Sequence, residues 1–228
     1  MSELVDWLRK SVPAEDSTGA TSGLVHGDFR IDNLLFHPSE KSIEFSTKKT
    51  WEFLRPRDTI KPWAKAVWFK NRVPKHAFNF WAANLDRLPV KTRLASWGIN
   101  ISTTCLLCSV CDENREHLFL QCGYSSQVWG LVLQRFGTPN LTFSSWNNVM
   151  LWLLNGSGSR EAKLLQKLAC QATINCIWRE RNCRLHSDIS IPPTTLFYQI
   201  DRIIRDTLLA RRLRKGCTLL LSAWFTHS

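Results

Sequence analysis

The stretch CLLCSVCDENREHLFLQC, residues 105–122, places four cysteines and one histidine within eighteen positions. No other feature of the chain limits its fold as sharply. Cys105 and Cys108 form a C-x2-C pair, and His117 and Cys122 follow as H-x4-C. Two thiolates at that spacing can reach one ion from a tight turn, while an imidazole and a third thiolate meet it from the far side of the loop. Four soft or borderline donors in tetrahedral array are what Zn2+ takes in a closed structural site, with no position left for water. A zinc bound this way orders the chain and carries out no chemistry, and its binding free energy is folding free energy.

The register has an alternative. Cys108 and Cys111 are also C-x2-C, and a Cys108/Cys111/His117/Cys122 set has a loop length closer to that of a retroviral zinc knuckle. The remaining cysteines, Cys170, Cys176, Cys183 and Cys217, are scattered and read as ordinary buried residues. The chain holds no run of about 18 apolar residues, and its N-terminus lacks the basic start and apolar stretch of a secretory signal. It is therefore expected to be intracellular and off the membrane, where thiols stay reduced and clustered cysteines signal metal rather than disulfides.

Charge divides the sequence. Residues 1–40 carry three basic and seven acidic side chains, whereas 41–228 carry 27 basic and 12 acidic. An excess of that size over 41–228 favours a polyanionic partner, RNA or DNA above all. Basic residues able to meet phosphate are Lys65, Lys70, Arg72, Lys75, Arg87, Lys91 and Arg93.

Periodicity makes the chain mainly α-helical. LVHGDFRIDNLLFHP, residues 24–38, reads as a short strand, a loop and a second strand. PWAKAVWFKNRVP reads as a helix with Trp63, Val67 and Lys70 on one side. Pro74 suits the first position of the next helix, with Phe78, Trp81, Ala82 and Leu85 as its apolar face. Val90, Leu94 and Trp97 form another stripe, stopped by Gly98. Trp129, Val132, Leu133 and Phe136 share a face ahead of Gly137, and a short helix is expected over 145–154. NGSGS at 155–159 is a linker, followed by one long helix from Arg160 to Ser187. After IPP, Thr194 or Thr195 caps a last helix with Phe197, Ile200, Ile204 and Leu208 inside and Gly216 as its stop.

Two family resemblances sit on these residues. From FSTKKTWEFLRP to CLLCSVCDENREHLFLQCGYSSQVW, about residues 44–136, the chain resembles the reverse-transcriptase zinc-binding domain of plant non-LTR retrotransposons. Trp68, Pro74, Asp86-Arg87-Leu88-Pro89, Trp97-Gly98, Glu116-His117-Leu118-Phe119 and Trp129 carry the likeness, which IWRERNCRLH and the basic 200–215 segment extend. That resemblance selects Cys105, Cys108, His117 and Cys122 as ligands, makes Cys111 a bystander, and implies nucleic-acid binding. No Asp-Asp pair occurs in the sequence, so the aspartate dyad of a polymerase is not expected.

HGDFRIDN, within residues 24–38, is similar to the catalytic loop of aminoglycoside-phosphotransferase-like kinases, as found fused to acyl-CoA dehydrogenases. The resemblance implies Asp28 as the proton acceptor, Asn33 as a Mg2+ ligand and His26 as a brace. Activity is not expected, because phosphoryl transfer is mostly the positioning of nucleotide and metal. Only 25 residues precede His26, and SIEF stands where a second metal-binding aspartate belongs. These readings divide the chain into a phosphotransferase-like fragment (1–43), the zinc-binding domain (44–154), the linker and a basic helical region (160–228). The expected product is a chimera: a non-catalytic, zinc-stabilised nucleic-acid-binding module. Its alternatives are a kinase-like remnant and an interaction protein that binds no nucleic acid.

Overall fold

The 28-residue helix Arg160–Ser187 is the spine of the computed structural model, which describes residues 59–156, 158–187, 189–214 and 219–226. Every residue from Leu168 to Trp178 is buried, so this helix is enclosed on all sides rather than lying on a surface. The elements around it, in chain order, are α1 (Ala64–Val67), α2 (Pro74–Asn84), α3 (Lys91–Ser96), a π-helical turn (His117–Gln121), α4 (Gly123–Gln134) and α5 (Trp146–Asn155). The spine is α6, followed by α7 (Pro193–Leu209) and α8 (Leu220–Phe225). Helices α2, α4, α5, α7, α8 and the π turn all pack on α6. Among the described residues there is no strand, only a single antiparallel bridge between Thr104 and Asp112. The strand-loop-strand expected at 24–38, with His26, Asp28 and Asn33, lies outside the described residues, as do Cys217 and the Gly216 stop.

Local chemistry accounts for the helix starts. Pro74 and Pro193 occupy first-turn positions, where the missing N–H costs nothing. The cap of α7 is thus Pro192, itself in extended conformation, and not Thr194 or Thr195. Ser145 closes a capping box with Asn148 at the start of α5. Gly98 and Gly137 take the left-handed conformation that ends α3 and α4. On α7 the residues Phe197, Ile200, Ile204 and Leu208 are buried together, as their spacing requires.

The structure departs from the sequence pattern in three places. The helix expected across 62–74 shrinks to Ala64–Val67, because the side-chain amide of Gln171 takes the carbonyls of Ala66 and Val67 and Asn71 turns left-handed at φ 70°. Helix α2 buries His76, Ala77, Phe80, Ala82 and Ala83, leaving Phe78 more than half exposed. Helix α3 buries none of its residues, and Trp97 at its end stands 59% exposed. Both exposed aromatics belong to the apolar stripes read from the sequence.

Candidate metal centre

The C-x2-C segment forms a tight knuckle. The amide of Cys105 donates to the Cys111 carbonyl (2.8 Å), the amide of Ser109 donates to the Cys105 carbonyl (2.9 Å), and Ser109 adopts φ 56° to complete the reversal. That hairpin turns the Cys105 and Cys108 sulfurs to one side, and the Leu107 amide donates to Cys105 Sγ at 3.4 Å.

His117 and Cys122 are aligned by the π turn. On a regular α-helix of 3.6 residues per turn, side chains five apart diverge by about 140°. Here the Cys122 amide bonds the His117 carbonyl at 2.7 Å, an i→i+5 closure that swings the two side chains onto one side. The wider turn is held by bonds from outside itself. Ser125 Oγ donates to the Leu118 carbonyl (2.6 Å), and Trp129 Nε1 donates to the Phe119 carbonyl (2.8 Å). Asn114 Oδ1 accepts the His117 amide at 2.8 Å. From the same turn Phe119 enters the core, in ring contact with Trp146 and Trp178. One five-residue element thus anchors the core and presents a metal donor.

The four donors meet. Sγ of Cys105, Cys108 and Cys122 and a ring nitrogen of His117 all lie within 4.8 Å of one another. Cys108 Sγ stands 3.2 Å from His117 Nε2. With Zn–S near 2.3 Å and Zn–N near 2.0 Å, donors on one tetrahedron are about 3.5–3.8 Å apart, so the arrangement fits a metal ion after small adjustments. Cys105, His117 and Cys122 are buried and Cys108 is partly so, whereas Cys111 is exposed and outside the group. In this structure Cys111 contributes its carbonyl to the knuckle, not its sulfur.

The thiols are electrostatically divided. A hydrogen bond between Cys105 and Cys122, reinforced by burial, pushes the Cys105 pKa up, and the same bond is the largest cause lowering that of Cys122. Cys122 stands at the N-cap of α4, where the amides of Ser125 and Tyr124 also favour its thiolate, although no short cap bond closes. Burial raises the pKa of Cys170 and of Cys176, which fits inert core thiols.

A buried polar frame ties the knuckle to α6. Glu113 is fully buried, and its Oε1 accepts Nε and Nη2 of Arg181 at 3.0 and 2.7 Å and the Lys91 amide at 3.1 Å. Its Oε2 accepts the amide of Leu106, between the first two ligands. One helical turn beyond Arg181, Arg184 Nη1 donates to the carbonyls of Leu106 (3.2 Å) and Leu107 (3.0 Å) and its guanidinium lies over the Tyr124 ring. Glu180 holds Arg184 in place through a 2.8 Å bond. Sequence reading missed Glu113, Arg181 and Arg184 as parts of the centre. The signal for the two arginines is the charged run IWRERNCRLH at the C-terminal end of α6, where Glu180 and Arg181 are buried all the same, and Glu113 carries no such signal.

Residues 45–129, 85 of the 228, match the family described as zinc-binding in reverse transcriptase. This segment is similar to a reverse-transcriptase zinc-binding domain. The match covers all four donors and stops short of α6, whose Arg181 and Arg184 complete the frame around the domain's knuckle. A different likeness covers 43 residues, 19% of the chain. Over that stretch the chain is 84% identical to the probable acyl-CoA dehydrogenase IBR3 of Arabidopsis thaliana and 49% identical to acyl-CoA dehydrogenase family member 11 of Gallus gallus. The human protein of the latter name is 48% identical over 40 residues. The chain spans about 5% of the length of these relatives, whose names give a dehydrogenase and no phosphotransferase. No solved structure matches the chain.

The seven basic residues expected to face phosphate are placed unequally. Lys65, Lys70, Lys75 and Arg87 are exposed. Lys91 Nζ instead donates to the Thr104 carbonyl at 2.8 Å and is structural, while Arg72 and Arg93 lie over the rings of Trp68 and Trp97. No described helix is long and apolar enough to cross a membrane.

Proposed function

We infer that this chain is a zinc-ordered, non-catalytic nucleic-acid-binding module of retroelement origin. The observation that carries the reading is the convergence of three sulfurs and one imidazole nitrogen within 4.8 Å, inside a segment similar to a reverse-transcriptase zinc-binding domain. Cys105, Cys108, His117 and Cys122 would hold Zn2+ and occupy all four of its coordination positions, leaving none for water or substrate. The chain's own residues do the rest. The knuckle and the π turn aim the donors, and Glu113, Arg181 and Arg184 fix the knuckle to the spine. A net excess of 15 positive charges over residues 41–228 supports a polyanionic partner, RNA or DNA.

The stretch similar to acyl-CoA dehydrogenases supports a chimeric origin, in which HGDFRIDN is a fragment of a kinase-like loop. His26, Asp28 and Asn33 are then vestigial, and calorimetry with Mg-ATP gives no binding heat; turnover of ATP abolished by Asp28→Asn would reverse this. One sample tests the main reading: zinc content and single-stranded nucleic-acid binding at two salt concentrations, before and after chelation. Zinc-dependent binding that weakens steeply with salt is the expected result. Salt-insensitive binding, or none, contradicts it.

A further inference from the structure

The geometry points to one face, built by residues 68–72 together with α2 and the start of α6, as a binding track for single-stranded nucleic acid; this rests on the nucleic-acid-binding reading above. Two features meet there. The first is an open groove of about 530 Å3 between residues 69–71 and the N-terminal part of α6. Its charged lining is Lys70, Arg160, Lys163 and Lys167 against one carboxylate, Glu161. The cations are crowded. Lys167 is half-buried, bonded to the Lys65 carbonyl at 2.9 Å and placed over the Phe69 ring, and burial followed by the charges of Lys163 and Lys65 lowers its pKa. A groove of that composition gains by taking up an anion, and a phosphate backbone supplies a row of them.

The second feature begins at the neighbouring residue. Trp68 is 42% exposed and contacts Trp81 at 6.2 Å between centroids, and Trp81 contacts Phe78, 56% exposed, at 5.6 Å. Arg72 lies over the Trp68 ring at 5.5 Å. Exposed aromatic surface usually marks an apolar partner. Here Arg72 lies on it and the exposed Lys75 stands one helical turn before Phe78, so a partner must present flat π faces and negative charge together. An unpaired strand does so. A duplex hides its base faces, so single strands are preferred.

The test uses the full zinc-loaded chain and a fluorescent oligothymidylate of about 16 nucleotides, the upper end of single-strand site sizes. Anisotropy titrations are run across a series of salt concentrations, beside a duplex of equal length. Lys70→Ala/Lys163→Ala should reduce the slope of log K against log salt by about 1.4, two phosphate contacts at about 0.7 each. Phe78→Ala should weaken binding about fivefold or more with the slope unchanged. Arg202→Ala, an exposed cation on α7, should match the parent chain. If the parent binds and both groove and aromatic variants behave like Arg202→Ala, the track is wrong while nucleic-acid binding stands. Equal affinity for duplex removes the single-strand preference. No binding at low salt overturns both the track and the reading beneath it.

Discussion

Replacing Arg181 by methionine should damage this protein more than any loss of a surface charge, and the structure says by how much. The Arg181 side chain is 3% exposed and that of Glu113 is fully buried. Two of the four hydrogen bonds to the Glu113 carboxylate come from the guanidinium. Without Arg181 the carboxylate keeps only the amides of Lys91 and Leu106, at 3.1 and 3.3 Å. Breaking a buried pair by removing one partner costs about 3–5 kcal/mol. The two surviving amides place the loss near 3 kcal/mol, against a total domain stability of about 5–15 kcal/mol. Adding Glu113→Gln removes the stranded charge while preserving an acceptor, and should restore at least about 1 kcal/mol. Urea unfolding of the zinc-loaded single and double variants measures both values. A second readout is metal affinity, expected to fall about 10–100-fold, because Glu113 orients the Leu106 amide between two ligands. A loss below about 1 kcal/mol, or a double variant no more stable than Arg181→Met, would refute the idea that this pair fixes the knuckle to α6.

Two further outcomes follow from the site and its neighbourhood. Cys108→Ser or His117→Ala should abolish stoichiometric metal binding and cost several kcal/mol, whereas Cys111→Ser should leave metal content and the urea midpoint unchanged; equal damage from all three would restore the Cys108/Cys111 register. His76 is buried, and burial, then Lys75, Arg179 and Arg211, lower its pKa from 6.5 to about 4. Below pH 6.5 the unfolded chain therefore binds a proton that the folded chain refuses, so stability falls as pH drops towards 4 and the loss then levels off. Between pH 7 and 5 this amounts to about 2 kcal/mol. Acid also protonates the metal ligands, so the diagnostic quantity is the difference between parent and His76→Gln, whose pH dependence should be flatter by that amount; identical profiles would contradict the assignment.

What the sequence disclosed depends on range. The helix starting at Pro74, the 28-residue spine and the stop at Gly98 were legible because their causes are local: ring-fixed φ, apolar spacing, a left-handed glycine. The start of α7 was not, since the two prolines read as an interruption and Thr194 or Thr195 as the cap, whereas Pro193 opens the helix. The ligand spacing at 105–122 was legible for the same reason. Which aromatics on α2 face inward was not. Phe80 and Phe78 are equally apolar, and only the approach of α6, which also bonds Asn79 through Asn175, decides between them. The π turn was invisible as well, since a 3.6-residue period cannot anticipate a turn stabilised by Ser125 and Trp129 from the next helix. Glu113 and Arg181 stand 68 residues apart, and each alone reads as a solvated charge.

The central claim is the shared ion, and X-ray absorption at the zinc edge on the purified, reduced chain tests it most directly, alongside metal stoichiometry. The prediction is one zinc per chain with three sulfurs near 2.3 Å and one nitrogen near 2.0 Å. Absence of zinc, or a shell in which water replaces one of the four protein donors, would contradict it.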